Sequence, residues 1–124
     1  MKPDVFFYID LIILIFTSLS SNIDALKRTG VTAILSLSAV GSFREDLHPG
    51  TFVIVAQFID RTFARQKSFF GEGMVAHVSM ANPVNERLGD WCEDACKKEQ
   101  IPMMRGGTYL AMEGPQFSTK AESN

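Results

Sequence analysis

Apolar positions in this chain fall into short dense runs, separated by Gly-, Pro- and charge-rich turns, with one helical stripe among them. From Asn22 onward the order is that of an α/β domain. Asn22 can cap a short helix through Ile23, Leu26 and Lys27, and Gly30 suits the C′ residue that ends it. The run Ala33-Ile34-Leu35-Ser36-Leu37, within Thr32 to Ser38, is apolar almost throughout. Such a strand is expected in a parallel sheet covered on both faces, and it reads as the central strand. Phe43-Arg44-Glu45-Asp46 and His48-Pro49-Gly50 are turns. Phe52 to Ala56 predicts a second short buried strand. Gln57 to Gly73 mixes Phe58, Phe63, Phe69 and Phe70 with Arg61, Arg65 and Lys67 without a period, which predicts a long loop. Met74 to Met80 is a candidate strand. Asn82-Pro83 or Asn85 opens a helix whose inner face is Val84, Leu88, Trp91 or Cys92, and Ala95. Lys97 and Lys98 fill its last turn and Pro102 bars continuation. Gly106 to Met112 predicts a last strand, followed by Glu113-Gly114-Pro115-Gln116-Phe117-Ser118 and the opening of another helix. The fold class is α/β, a mixed β-sheet flanked by helices.

The first 21 residues follow another pattern. Val5 to Phe16 is almost continuously apolar, broken by Asp10, and too short for a comfortable transmembrane helix. Lys2 before it and Ser18 and Ser20 after it weakly resemble a secretory signal, which Asp4 and Asp10 fit poorly. Three readings stand: a signal or anchor, a buried native strand or helix, and a spurious start from a mispredicted gene model. The third is favoured by the family resemblance given below, whose N-terminal segment this leader stands in place of. The chain therefore divides into an apolar leader over 1–21 and one domain over 22–124.

Composition narrows the function classes. A chain of 124 residues suits a single domain, and one that size buries roughly two-thirds of its unfolded surface. A net charge of −2 without a basic stripe argues against nucleic acid as a partner. Lys27-Arg28 and Lys97-Lys98 are the adjacent basic pairs, and both fall at helix C-termini, where cations favour the dipole. Cys92 and Cys96 lie four apart on one helix, a spacing unsuited to a disulfide. Neither His48 nor His77 stands at a ligand-like spacing from them, so no metal site is expected.

The candidate chemistry begins at Ser38-Ala39-Val40-Gly41-Ser42. So little side-chain bulk lets backbone N–H groups approach a ligand, and successive N–H groups form an anion-binding concavity. The hydroxyls of Ser38 and Ser42 are donors that phosphate oxygens accept. In open α/β sheets ligands sit beyond the carboxyl ends of strands, where this turn would lie. An ordinary strand exit, where Gly and Ser are common, is the competing reading.

Asn22-Ile23-Asp24-Ala25-Leu26-Lys27, followed by Ser38-Ala39-Val40-Gly41-Ser42-Phe43-Arg44-Glu45, resembles the nucleoside phosphorylases that form trimers. Gln57-Phe58-Ile59-Asp60-Arg61-Thr62 and His77-Val78-Ser79-Met80-Ala81 narrow the resemblance to the S-methyl-5′-thioadenosine phosphorylase family. Gly106-Gly107-Thr108-Tyr109 and Glu113-Gly114-Pro115-Gln116-Phe117-Ser118-Thr119-Lys120-Ala121-Glu122-Ser123 are similar to that family almost letter for letter. The resemblance covers Asn22 to Asn124 through several motifs in order, which a single motif could not match in weight.

That resemblance implies a partial nucleoside phosphorylase fold and a phosphorolysis. Phosphate attacks C1′ of 5′-methylthioadenosine to give adenine and 5-methylthioribose 1-phosphate. No metal or organic cofactor takes part, and inorganic phosphate is a co-substrate. It further implies a homotrimer, in the cytoplasm with the nucleus as a second compartment, no nucleic-acid partner and no membrane attachment. Ser38 and Ala39 match the positions that hold phosphate. Phe117 matches the aromatic that packs on the purine, with a core Phe as the competing reading. Ser118 stands where relatives taking 6-oxopurines carry Glu, which implies the 6-aminopurine branch. His77 matches a residue lent by a neighbouring subunit to the 5′-methylthio pocket, and a structural hydrogen-bonding His is the equal alternative. Asp60, Arg61 and Glu113 belong to the motifs without individual roles, an ion pair or loop anchor being the simplest assignment. Ala56 replaces a usual Asp and Asn82 a usual acidic residue. The family's Gly-rich phosphate loop, its Arg-His pair and the acid that protonates purine N7 have no match here, the last being expected beyond Asn124. The chain is accordingly expected to be inactive alone, able at most to associate with full-length subunits.

Overall fold

The computed structural model describes residues 5–9 and 19–123. Its elements are β1 (Val5–Ile9), α1 (Leu19–Arg28), β2 (Gly41–Ser42), β3 (Phe52–Ile54), β4 (Gln57–Asp60), α2 (Glu86–Lys98), β5 (Met103–Arg105), β6 (Thr108–Met112) and α3 (Lys120–Ser123). The strands form a four-stranded mixed sheet in the order β2-β1-β6-β4, and a two-stranded sheet of β3 and β5.

The two sheets are one parallel ladder with a break in it. Phe52 faces Met103 and Ile54 faces Arg105. Beyond the break Gln57 faces Thr108 and Asp60 faces Ala111, with the same separation along the chain. Gly106 and Gly107 make the break possible, because both take positive φ, 99° and 94°, where a side chain would be strained. The Gly107 carbonyl accepts from both Ala56 N and Gln57 N, at 3.1 and 3.2 Å, and Gly106 N donates to Ile54 O at 2.8 Å. These three bonds carry backbone pairing across the kink. Strand β6 is thus the axis of the fold, with β1 on one edge and β4 on the other, and Leu110 on it is 4% exposed.

Helix α1 begins three residues before the expected cap and ends as expected. Gly30 sits at φ 82°, with Gly30 N bonded to Lys27 O and Val31 N to Leu26 O. Helix α2 opens at Asn85, whose side chain accepts from Leu88 N at 3.0 Å. Its inward residues include Leu88, Gly89, Cys92 and Cys96, so Cys92 rather than Trp91 belongs to the face. Trp91 is exposed and carries the Arg87 guanidinium over its ring. Gly89 lets the helix lie close to β5, since a Cβ there would meet the Arg105 guanidinium at 2.6 Å. Arg105 bridges from β5 to Glu86 O and Asp90.

Three expectations are corrected. Thr32 to Ser38 is not a strand; the run is exposed, with Leu35 67% and Leu37 74% accessible. The central place the run was expected to fill beside β6 is held by Val5–Ile9, and the run pairs with neither terminal strand of the sheet. Val5 to Ile9 runs parallel to β6, Val5 opposite Thr108 and Ile9 opposite Met112. This segment of the expected leader is therefore paired in the sheet, whereas residues 1–4 and 10–18 lie outside the described residues. Gln57 to Gly73 is not wholly a loop, because its first four residues are β4, recruited by the β6 ladder although their own pattern does not alternate. Met74 to Met80 forms no strand and is tied down at its end by Gln57 Nε2 donating to Ala81 O at 2.9 Å.

Candidate functional site

The segment Ser36 to Ser42 lines one wall of an open cleft of about 1050 Å³. Ser38 and Ala39 both face it, together with Arg44, His48, Thr51 and Tyr109. The Ser42 hydroxyl is spent on its own turn, accepting from Arg44 N at 3.0 Å and donating to Arg44 O at 3.2 Å. Arg44 Nε in turn donates to Asp46 at 2.9 Å. That guanidinium holds the Asp46 carboxyl below the usual carboxylate range. The cleft thus brings the Ser38 hydroxyl and the Asp46-paired Arg44 to one wall, groups of the kinds that bind an oxyanion.

Phe117 and Ser118 stand elsewhere, on an arch running from Glu113 to Glu122. Both feet of this arch rest on the short stretch Arg61 to Arg65, just past β4. At the first foot, Glu113 Oε2 accepts from Phe63 N at 3.0 Å and Ala64 N at 2.9 Å. Arg65 lies 3.5 Å from its other oxygen. These two N–H groups, then Arg65, keep the Glu113 carboxyl below its ordinary pKa. At the second foot, Glu122 pairs with Arg61. Glu122 also closes a reciprocal helix cap: its carboxylate accepts from Thr119 N at 2.7 Å, while its own N donates to Thr119 Oγ1 at 3.3 Å. The Thr119 N–H and then Arg61 lower its pKa.

The stretch that carries both feet is itself fixed by Asp60. Its Oδ1 accepts from Thr62 N at 2.8 Å and Thr62 Oγ1 at 2.7 Å, and Lys67 Nζ reaches Oδ2 at 3.0 Å. The Thr62 bonds above all, with Lys67 behind them, take the Asp60 pKa down to about 2. Thr62 is 8% exposed. Asp60, Arg61 and Glu113 therefore act as loop anchors, as the sequence suggested. Thr119 and Glu122 hold the start of α3 as well, and the spacing Thr119-Lys120-Ala121-Glu122 is the capping-box signal for it in the sequence.

On the arch, Phe117 is 77% exposed, so it packs in no core and presents a bare aromatic face. Ser118 is half-buried, its Oγ 2.9 Å from Ser123 Oγ. His77 is exposed within the segment before Ala81 and is not among the residues lining the cleft. Among the described residues, no group of His, Cys, Asp and Glu is placed to hold a metal ion.

A model of the phosphorylase superfamily matches residues 17–124. The chain belongs to that superfamily. Its curated relatives include S-methyl-5′-thioadenosine phosphorylase of Rhodospirillum rubrum, 72% identical over 104 residues, which are 84% of this chain and 35% of that protein. The enzyme of the same name from Saccharolobus solfataricus is 50% identical over 103 residues, 83% of this chain and 38% of that protein. The chain spans little more than a third of the length of these relatives. Among solved structures, methylthioadenosine phosphorylase from Schistosoma mansoni without ligand superimposes with a TM-score of 0.76 at 33% identity. That match covers 83% of this chain and 44% of the other. The same enzyme in complex with adenine gives 0.75 at 33% identity, over 83% and 45%. The fold is accordingly part of a nucleoside phosphorylase domain, as the sequence motifs imply. No described helix is long and apolar enough to cross a membrane.

Proposed function

We propose that this protein serves the phosphorolysis of 5′-methylthioadenosine, contributing the purine arch and one wall of the phosphate site. In that reaction a phosphate oxygen bonds to C1′ as the C1′–N9 bond breaks, and the bonding electron pair leaves with adenine. The observation that carries this reading is the arch: an exposed Phe117 beside a half-buried Ser118, both feet pinned to Arg61–Arg65. A flat aromatic face and a neighbouring hydroxyl suit a purine. The relatives named above supply the substrate. Ser38 and Ala39 would hold phosphate in the cleft, and His77 would wall the 5′-methylthio group across a trimer contact. The reaction needs no metal or organic cofactor, and the setting is the cytoplasm and the nucleus.

The chain's own carboxylates argue for binding without turnover. Asp60, Glu113 and Glu122 are the acids beside the arch, and all three are held ionised by donors. None carries a proton for a departing purine at neutral pH, and proton donation contributes about 10²–10⁴-fold. The test is to titrate the purified chain with adenine, then incubate it with 5′-methylthioadenosine and phosphate. Adenine should bind, Phe117→Ala should weaken it, and no adenine should be released. Failure to bind adenine overturns the purine reading. Phosphate-dependent release above the Phe117→Ala background overturns the claim that the carboxylates beside the arch supply no working acid.

A further inference from the structure

Two segments of this chain have a claim to the place beside β6. Val5–Ile9 holds it, in the strand order β2-β1-β6-β4. Yet β2, β4 and β6 all lie within residues 17–124, which the superfamily model matches, and β1 alone of that sheet lies before them. The run 33–37 is inside the match, apolar almost throughout, and belongs to no strand. Such a run suits a strand covered on both faces. With Ile34 49%, Leu35 67% and Leu37 74% accessible, the gain from burying it is forgone. The run is also close at hand. Ser36, Leu37 and Ser38 line one cleft with Tyr109 of β6. Just downstream, Gly41 and Ser42 lie opposite Phe7 and Phe6, on the side of β1 away from β6. From there to the place of β1 is one strand spacing, roughly 5 Å.

We propose that Val5–Ile9 is a displaceable strand that holds the β6 edge against residues 33–37, and so keeps Ser38 and Ala39 off the end of a strand. When the run takes the edge, β6 keeps a backbone partner, since a ladder of either direction closes its N–H and C=O groups. What changes is the turn after the run. Ser38 and Ala39 then stand at the carboxyl end of a paired strand, where α/β sheets hold ligands, instead of trailing an exposed segment. The consequence for phosphate rests on the phosphate reading of Ser38 and Ala39, whereas the exchange of strands does not. One edge takes one strand, so weakening either claimant favours the other.

The experiment follows backbone amide exchange and inorganic phosphate binding in the full chain by nuclear magnetic resonance. Phe7 lies opposite Leu110 in β6 and Gly41 in β2. Phe7→Pro therefore removes a donor from a strand paired on both sides and should dislodge it. Exchange at residues 33–37 should then slow by about tenfold or more, while Thr108–Met112 stay protected. Adding Leu35→Pro to Phe7→Pro should undo that slowing and speed exchange along Thr108–Met112. Phosphate should shift the Ser38 and Ala39 amides at lower concentration in Phe7→Pro than in the unmodified chain. Unchanged exchange at 33–37 in Phe7→Pro, with the β6 amides opening, overturns the proposal and leaves the phosphate reading standing. Slowed exchange at 33–37 with unchanged phosphate binding supports the displaceable strand and overturns the phosphate reading. Should Phe7→Pro lose its dispersed spectrum, Phe7→Gly takes its place, since glycine weakens a strand and keeps the donor. Faster exchange at 5–9 without slower exchange at 33–37 in that variant overturns the proposal.

Discussion

Asp60 shows how one side chain can determine a neighbourhood. Its carboxylate takes two bonds from Thr62 and one from Lys67. An Asx-type turn of this sort replaces the ladder bonds that β4 loses as it leaves the sheet. The consequence is a defined pH response. The folded pKa is depressed to about 2, whereas an unfolded Asp titrates at about 3.9. Stability from this group is therefore complete above about pH 4, and drains away as pH falls through its folded pKa. A carboxyl ¹³C titration should find Asp60 still ionised at about pH 3, where an unpaired Asp is mostly protonated. The Thr62 amide should lose exchange protection only below that point. Titration of Asp60 in the ordinary carboxylate range would contradict this account. Glu113 and Glu122 are lowered for the same kind of reason, by N–H donors first and guanidinium second.

Among the elements, α2 is the one whose limits are stated most fully by its own residues. Asn85 caps it, Glu86 sits in the first turn, and Lys97 and Lys98 sit in the last, each complementing the helix dipole. Lys97 also reaches Glu93 one turn back at 2.7 Å, an exposed pair worth little in itself. The cap matters more. Asn85→Ala leaves Leu88 N without its partner and should cost about 1 kcal/mol, read as a lower urea midpoint for the loss of helical circular dichroism. Asn85→Asp should hold the midpoint, because it keeps an acceptor at the same place. Equal midpoints for the Ala variant and the unmodified chain would remove the cap from the account. Strands β4 and β5 are the opposite case, since each is defined by the ladder it joins more than by its own residues.

The whole molecule has far more surface than its mass requires. Its accessible area is 10274 Å², against about 6,600 Å² for a compact monomer of 13.8 kDa. Leu110 is the one large hydrophobic side chain fully buried among the described residues, while Leu35, Leu37, Val75, Val78 and Phe63 are all more than half exposed. A patchwork of that extent exceeds what soluble monomers leave open and favours association. The purified chain should bind an apolar dye such as anilinonaphthalene sulfonate and elute from gel filtration as self-associated species. A monodisperse monomer without dye binding would show that the apolar run 33–37 is covered in solution.

What the residues determined unaided is local and chemical. A helix cap at Asn82-Pro83 or Asn85, the stop at Gly30, a strand over Gly106 to Met112 and the opening of a last helix follow from signals a few residues long, and the structure has them at Asn85, Gly30, Thr108–Met112 and Lys120–Ser123. The motif residues of the phosphorylase superfamily were legible for the same reason, being contiguous. Asp60, Arg61 and Glu113 could be typed as anchors, but not joined to their partners. Partners such as Glu113 with Phe63 and Ala64, or Arg61 with Glu122, lie about fifty or sixty residues apart, and proximity of that kind has no local signature. Pairing in the sheet was likewise decided only in three dimensions. Of two apolar segments, Val5–Ile9 and Ala33–Leu37, the second has the stronger claim to a central strand by its own pattern, but β6 has one edge to give beside β4. The first segment holds that edge and the second is left exposed, because a strand is completed by a neighbour's backbone and not by its own side chains.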